Sequence, residues 1–326
     1  MPTLITGAGQ VGAYVARALV ERGERPILFD VHPRVEALGE IVDLNRCALV
    51  RGSVLDMTDL LQVMASERVD TVIHTAAILP TLDAKPHLMV QVNVLGFVNV
   101  LEAARALGVR RVVYTSSIVV HYGAYPKFPP QAPIAEEAPI ERIPGFFYGN
   151  TKIAAEYIGL DYADALGVDV VALRLGHVWG VWAGPWGAPI SILLHRLVRG
   201  ALRGERVVLD RPELVWGGRE GFLHVRNAAQ ALVRARDATD LAHRVFIITD
   251  ARPYTFSELL NAVRQHFPHL EVEVAVPLTG GYAATAVALQ QPYDISRARR
   301  ELGYDPEWDL ERGIAEYVEW MRRRCA

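Results

Sequence analysis

Short apolar runs alternate with amphipathic stretches through the first half of the chain, and few folds accommodate that rhythm. Leu4-Ile5, Pro26-Ile27-Leu28-Phe29, Ala48-Leu49-Val50, Thr71-Val72-Ile73 and Val112-Val113-Tyr114 each read as a buried strand. Helical patterns fill the gaps at residues 11–22, 58–67 and 86–107. Strands apolar on both faces and separated by helices predict an α/β protein with a doubly wound parallel sheet. Residues 148–166 read as a further helix, and residues 169–175 (DVVALRL) as a sixth strand.

Between residues 122 and 147 the periodicity breaks, and prolines at 126, 129, 130, 133, 139 and 144 predict a loop over the sheet edge. Beyond residue 180 the pattern is mixed. Gly, Pro and Trp crowd residues 182–189, helices are expected at 190–202, 228–236, 295–302 and 310–324, and a strand at 245–248. The expected division is a dinucleotide-type domain over residues 1–180. A smaller, partly interleaved substrate-binding region, 181–326, would lie across the C-terminal strand ends, where open α/β sheets take their ligands.

Composition narrows the function classes. A net charge of −3 argues against a nucleic-acid surface, and Arg322-Arg323-Arg324 reads as a helix end whose charge complements the dipole. Two distant cysteines, Cys47 and Cys325, form no disulfide framework and fit a reducing compartment. No apolar run is read as reaching the ~18 residues of a membrane span, so no membrane partner and a cytoplasmic location are expected. The ten histidines are scattered without metal-ligand spacing, and no metal is expected.

The chemistry starts at Gly7-Ala8-Gly9-Gln10-Val11-Gly12, a G-x-G-x-x-G directly after a strand and opening a helix. The first glycine permits the tight turn, the second lets backbone approach a pyrophosphate, and the third lets helix pack on strand. The phosphates then face the positive end of the helix. In this context it reads as a Rossmann-type dinucleotide bend, the alternative being a glycine-rich strand–helix turn. Asp30 ends the second strand, where a carboxylate would accept the ribose hydroxyls and disfavour a 2′-phosphate, pointing to NAD over NADP; Arg34 nearby could soften that choice.

Tyr148-Gly-Asn-Thr-Lys152 carries the second signal. One helical turn puts phenol and ammonium on one face, and a nearby cation is expected to lower the phenol's pKa. Only Lys85, Lys127 and Lys152 are lysines, against 12 tyrosines in 326 residues, so chance predicts roughly 0.1 such pairs. A compact ammonium is not interchangeable with the Arg this chain otherwise uses. Ser116-Ser117 closes the fifth strand, where a hydroxyl could hold a substrate oxygen beside the phenol.

Together these pieces resemble the extended short-chain dehydrogenase/reductase superfamily, in its NAD-dependent epimerase/dehydratase branch. The likeness extends over His74-Thr75-Ala76-Ala77, Asn93-Val94-Leu95-Gly96, Asn99-Val100-Leu101-Glu102-Ala103-Ala104, Thr115-Ser116-Ser117 with Tyr122-Gly123, Arg174-Leu-Gly-His-Val-Trp-Gly180, Phe222-Leu-His-Val225 and Arg299-Arg-Glu-Leu-Gly303. The resemblance implies that Ser117 orients the substrate oxygen, Tyr148 is the acid/base, and Lys152 binds the nicotinamide ribose and tunes Tyr148. It implies NAD contacts from Gly7, Gly9, Gln10, Val11, Gly12 and Asp30, from Ser53 and Val54 along adenine, and from Thr75, Ala76, Ala77, Leu79 and Asn93. It also implies a homodimer through the helices at 86–107 and 148–166, with Leu88, Val92, Leu95, Ile153, Tyr157 and Ile158 as a candidate face.

Several positions depart from the family pattern. The glycine bend is one residue shorter than usual. Ile118-Val119 stands where dehydratases of the branch place Asp-Glu, so 4,6-dehydration is not expected. His177 stands where nucleotide-sugar enzymes commonly present Asn, and is either a substrate contact or a satisfied structural histidine. Arg219 remains to meet a phosphate, but residues 286–292 (AVALQQP) hold no second cation. Trp179, Trp182 and Trp186 either stack on a sugar or pack the core. The expected activity is NAD-dependent hydride transfer at a secondary alcohol or ketone of a sugar-like substrate, as epimerase or dehydrogenase. The competing expectation is a catalytically silent dinucleotide sensor of the same fold.

Overall fold

The computed structural model describes residues 1–80, 85–129, 132–185, 188–250, 252–278, 280–281, 289 and 291–325. The first half runs β1 (Thr3–Thr6), α1 (Gln10–Glu21), β2 (Ile27–Asp30), α2 (Val35–Gly39), β3 (Ala48–Arg51), α3 (Met57–Ser66) and β4 (Thr71–His74). It continues through α4 (Pro86–Val90), a π-helical turn (Gln91–Leu95), α5 (Gly96–Leu107), β5 (Arg111–Ser117), α6 (Phe147–Leu166) and β6 (Val170–Leu175). The second half holds β7 (His177–Trp179), α7 (Pro189–Arg203), β8 (Val207–Leu209), β9 (Phe222–His224), α8 (Val225–Asp237) and β10 (Val245–Ile248). It closes with α9 (Phe256–His266), β11 (Val272–Val274), α10 (Ser296–Leu302) and α11 (Leu310–Cys325).

Seven strands form one sheet in the order β10-β6-β5-β4-β1-β2-β3, every pair parallel. Strand residues divide by parity. Ile5, Leu28, Ile73, Val113 and Val171 feed the core under α1 and α8, whereas Leu4, Phe29, Val72, Val112 and Val170 feed the core under α3, α5 and α6. Both faces are covered, which is why these strands read as unbroken apolar runs. The order reverses between β1 and β4, and that switch point sets the cofactor crevice.

Two segments beyond residue 180 belong to this sheet. β10 pairs with β6, and α8 packs along α1. Buried Arg236 ties the two stretches of chain, donating to both carboxylate oxygens of Glu24 at 2.7 and 2.9 Å and to Thr3 Oγ1 at 3.0 Å. The remainder contributes two small parallel pairs, β7-β9 and β8-β11. Neither pair was legible in the sequence, because three-residue strands have too little periodicity to register.

Pro86–Leu107 runs as one helix through the π turn and corrects one expectation. It is long and apolar enough to cross a bilayer by length and composition, with mean hydropathy 1.3, but 44 % of that window is buried in the fold. It packs against α3 and α6, and the extra π residue turns Asn93 inward to 1 % exposure.

Candidate active site

The glycine bend is built from close approaches. Gly7 has φ +91°, and a Cβ there would meet the Ala76 backbone nitrogen at 2.6 Å. A Cβ on Gly12 would sit 2.1 Å from the Gly7 carbonyl oxygen. At Gly9, by contrast, a Cβ would meet no protein atom within 4 Å. Gly9 is also the N-cap of α1, which has no side-chain cap and no acidic residue in its first turn. The amides of Gln10, Val11 and Gly12 therefore keep their donor capacity at the positive end of a 12-residue helix. Asp30 Oδ2 accepts from Ala8 N at 2.8 Å and Oδ1 from His32 N at 2.8 Å, so the carboxylate sits against the bend. These residues fit a dinucleotide: an uncapped helix end for its pyrophosphate, open space at Gly9, and an acidic strand end for a ribose. Gln10 also donates to the Gly180 carbonyl at 2.9 Å, which joins the bend to the end of β7.

The facing wall comes from the end of β4. Thr75 Oγ1 donates to the carbonyls of Thr6 and Gly7 at 3.0 and 2.8 Å and pins that wall to the bend. Thr75, Ala76 and Ala77 are half-buried, and Leu79 is exposed. Across from them Ser53 is half-buried, its amide bonded to Asp59 Oδ2 at 2.9 Å, while Val54 is buried with its carbonyl held by Asn99 at 3.0 Å. The Asn93 side chain bonds Ile78 N (2.7 Å), Ile78 O (3.1 Å) and Thr151 Oγ1 (3.1 Å), so it braces the wall against α6.

Ser117, Tyr148 and Lys152 meet at the C-terminal end of β5. Asn150 sets the entry to α6 by bonding both backbone groups of Ile143, at 3.0 and 2.8 Å. This places Tyr148 one residue into the helix, where the Ser117 side chain bears on its phenol. Lys152 is buried, donates Nζ to the Thr115 carbonyl at 2.7 Å and lies 5.8 Å from the Tyr148 ring centre. The expectation that the ammonium makes the phenol more acidic is corrected here. Burial pushes the phenol up, and only the Ser117 hydrogen bond works against it. Burial also pulls Lys152 down to about 7, against an upward pull from Glu156.

Behind this trio lies a charge cluster that sequence reasoning missed. Glu156, 2 % exposed, takes Arg174 on both Nη2 (2.6 Å) and Nε (3.1 Å) and Ser116 Oγ at 2.5 Å. Arg174 Nη1 adds the Glu136 carbonyl at 2.7 Å and His121 Nε2 at 3.2 Å. The available signal was spacing: Glu156 follows Lys152 by one helical turn.

On the substrate side, His177 Nε2 lies 2.7 Å from the Tyr122 hydroxyl and 3.6 Å from Glu220 Oε2, a carboxylate of 1 % exposure. Tyr125 and Tyr293 join hydroxyls next to them, and Tyr122 stacks through Phe146 toward Tyr148. Arg219 is not brought to this group. Its guanidinium turns to Glu258 at 3.6 Å and the Pro253 carbonyl at 3.4 Å. Trp179 and Trp182 are 1 % and 3 % exposed and pack the core, while Trp186 and most of residues 286–292 lie outside the described residues. Among the described residues, no His, Cys, Asp and Glu cluster could hold a metal.

Comparison with known proteins places this arrangement. Residues 3–248 match the NAD dependent epimerase/dehydratase family. The chain is 28% identical to a UDP-glucose 4-epimerase of Corynebacterium glutamicum, over 97% of its own length and 94% of that protein. It is 27% identical to a 3 beta-hydroxysteroid dehydrogenase/Delta 5-->4-isomerase of Mycobacterium tuberculosis, covering 97% and 89%. The solved UDP-glucose 4-epimerase of Thermus thermophilus, in complex with NAD, superposes with TM-score 0.80 at 24% identity, covering 99% of both chains. With the glycine bend, the acidic strand end and the Ser-Tyr-Lys set in one crevice, the chain belongs to the NAD dependent epimerase/dehydratase family and is an NAD-dependent enzyme of the extended short-chain dehydrogenase/reductase type.

Proposed function

We propose that the enzyme interconverts a secondary alcohol and ketone on a sugar, working as an epimerase through a transient ketone, without eliminating water. The observation that carries this reading is the convergence of Ser117, Tyr148 and Lys152 at the end of β5, followed by buried, apolar Ile118 and Val119. An elimination needs an acid and a base across a carbon pair, and neither side chain after Ser117 titrates. NAD, when bound, supplies the hydride chemistry. Ser117 Oγ holds the substrate oxygen. Tyr148 Oη takes that oxygen's proton on oxidation, for which it acts as the phenolate, and gives it back from the resulting phenol on reduction. Lys152 holds the cofactor side of the site. The likeness to a UDP-glucose 4-epimerase over nearly the whole chain supports a sugar carried on a nucleoside diphosphate.

A second reading, net dehydrogenation of an uncharged alcohol, draws on the acidic wall. Glu220 lies beside His177, and Arg219 turns to Glu258, so the side chains around His177 offer a diphosphate a carboxylate in place of a guanidinium. One assay separates the readings. Incubated with NAD and UDP-glucose, an epimerase yields the other sugar epimer with no lasting 340 nm absorbance. Stoichiometric NADH from free sugars or other uncharged alcohols, with UDP-glucose untouched, supports the second reading. A 4-keto-6-deoxy product overturns the exclusion of dehydration.

The protein is also proposed to be a homodimer. Leu88, Leu95 and Tyr157 are 37%, 50% and 51% exposed on the helical run Pro86–Leu107 and on α6. Such a face leaves apolar area in water unless a second copy covers it. Light scattering is expected to give twice the chain mass, and Leu95→Arg with Tyr157→Arg to halve it; a wild-type monomer overturns the proposal.

A further inference from the structure

Glu156 lies outside the Ser117-Tyr148-Lys152 set, yet it touches the supports of all three. Its carboxylate receives Ser116 Oγ at 2.5 Å, and Ser116 sits between Thr115, whose carbonyl anchors Lys152, and Ser117, whose side chain bears on Tyr148. It stands on α6 one turn beyond Lys152, on the same buried face, with exposures of 2% and 3%. Arg174 closes the pair from β6. We propose that Glu156 is a positioning residue: it locks the end of β5 to α6 and holds the charge of Lys152 in place for catalysis.

The groups around Lys152 make this assignment specific. β5 offers the Tyr114 ring, 4.9 Å from Nζ, and the Thr115 carbonyl; β4 offers His74, which burial holds neutral at about 3; α6 offers Tyr148 and Glu156. Both phenols are pushed up by burial and stay uncharged near neutrality. β6 contributes Arg174, bound to Glu156, and the π turn presents the neutral Asn93. Glu156 is thus the anion through which the fold favours the ammonium, opposing the burial that pulls Lys152 down to about 7. A buried ammonium without such a partner sheds its proton.

The scarcity of lysine makes a direct test practical. With lysine isotopically labelled, NMR titration of the full chain reports three side chains, of which Lys85 and Lys127 are exposed. Glu156→Gln keeps an oxygen for Arg174 and Ser116 and removes the charge. The expected result is that the Lys152 midpoint moves about one pH unit or more toward acid, with Lys85 and Lys127 unmoved. The loss of kcat on the alkaline side is expected to move with it, while KM and NAD affinity stay within a few-fold. Ser116→Ala, which keeps the charge and cuts the tie to β5, is expected to lower kcat with a smaller change in midpoint. Should Glu156→Gln fail to fold, a Ser116→Ala variant with wild-type kcat overturns the lock. A folded Glu156→Gln with the Lys152 midpoint in place overturns the electrostatic part. The inference rests on the proposed role of Lys152, but the titration needs no substrate, so a failed substrate assignment is distinguishable from a failed Glu156.

Discussion

Tyr148→Phe is expected to cut kcat by about 10²–10⁴, the range that one positioned acid/base group contributes, while leaving NAD affinity within a few-fold. The phenol oxygen is the one atom lost. Its partner in the protein is the Ser117 hydroxyl, and the ring keeps its place beside Phe146 and near the Lys152 ammonium. Nothing in the glycine bend or the Thr75 wall touches it, so the cofactor crevice keeps its shape. Steady-state kinetics with fluorescence titration of NAD check both halves. Surviving activity would mean that another group moves the proton, and His177, hydrogen-bonded to Tyr122, is then the side chain to replace next.

The glycine bend yields the other large effect, as a contrast between two substitutions of one methyl. Gly12→Ala places a carbon 2.1 Å from the Gly7 carbonyl, backbone against backbone, so α1 has to shift. Overpacking of this kind costs ~1–3 kcal/mol or more, and thermal unfolding is expected to come several degrees early. Gly9→Ala meets no protein atom, so the free chain is expected to unfold at the wild-type temperature. Its methyl instead points into space at the uncapped end of α1, where a pyrophosphate has to approach, and NAD affinity is expected to fall more than tenfold. Calorimetry of the free chain with NAD titration reads both. Equal NAD affinity in Gly9→Ala would place the phosphates elsewhere.

Much of this was legible because it is local. The G-x-G-x-x-G spacing demands a bend wherever a strand turns into a helix, and Tyr148 and Lys152 share a face on any helix that contains both. Burial on both faces made the doubly wound sheet readable, as unbroken apolar runs alternating with helical stretches. The partners of Asn93 were not legible, because a motif position says nothing about direction: its side chain bonds Ile78 and Thr151. The pairing of Arg219 with Glu258, a partner it shares with Arg252, was not legible because that helix lies too far along the chain to be anticipated.

The amino-acid order by itself determined the α/β class, the glycine-rich bend between β1 and α1 and the shared helical face of Tyr148 and Lys152, since each follows from spacing within a few residues. Only the tertiary structure decided the electrostatics. That burial raises Tyr148 and lowers Lys152, that Glu156 answers Arg174 across Ser116, and that Glu220 lines the wall beside His177 all depend on desolvation and on pairs joined across the fold. Desolvation and charge pairing act through space, and distance through space is what a linear sequence does not carry.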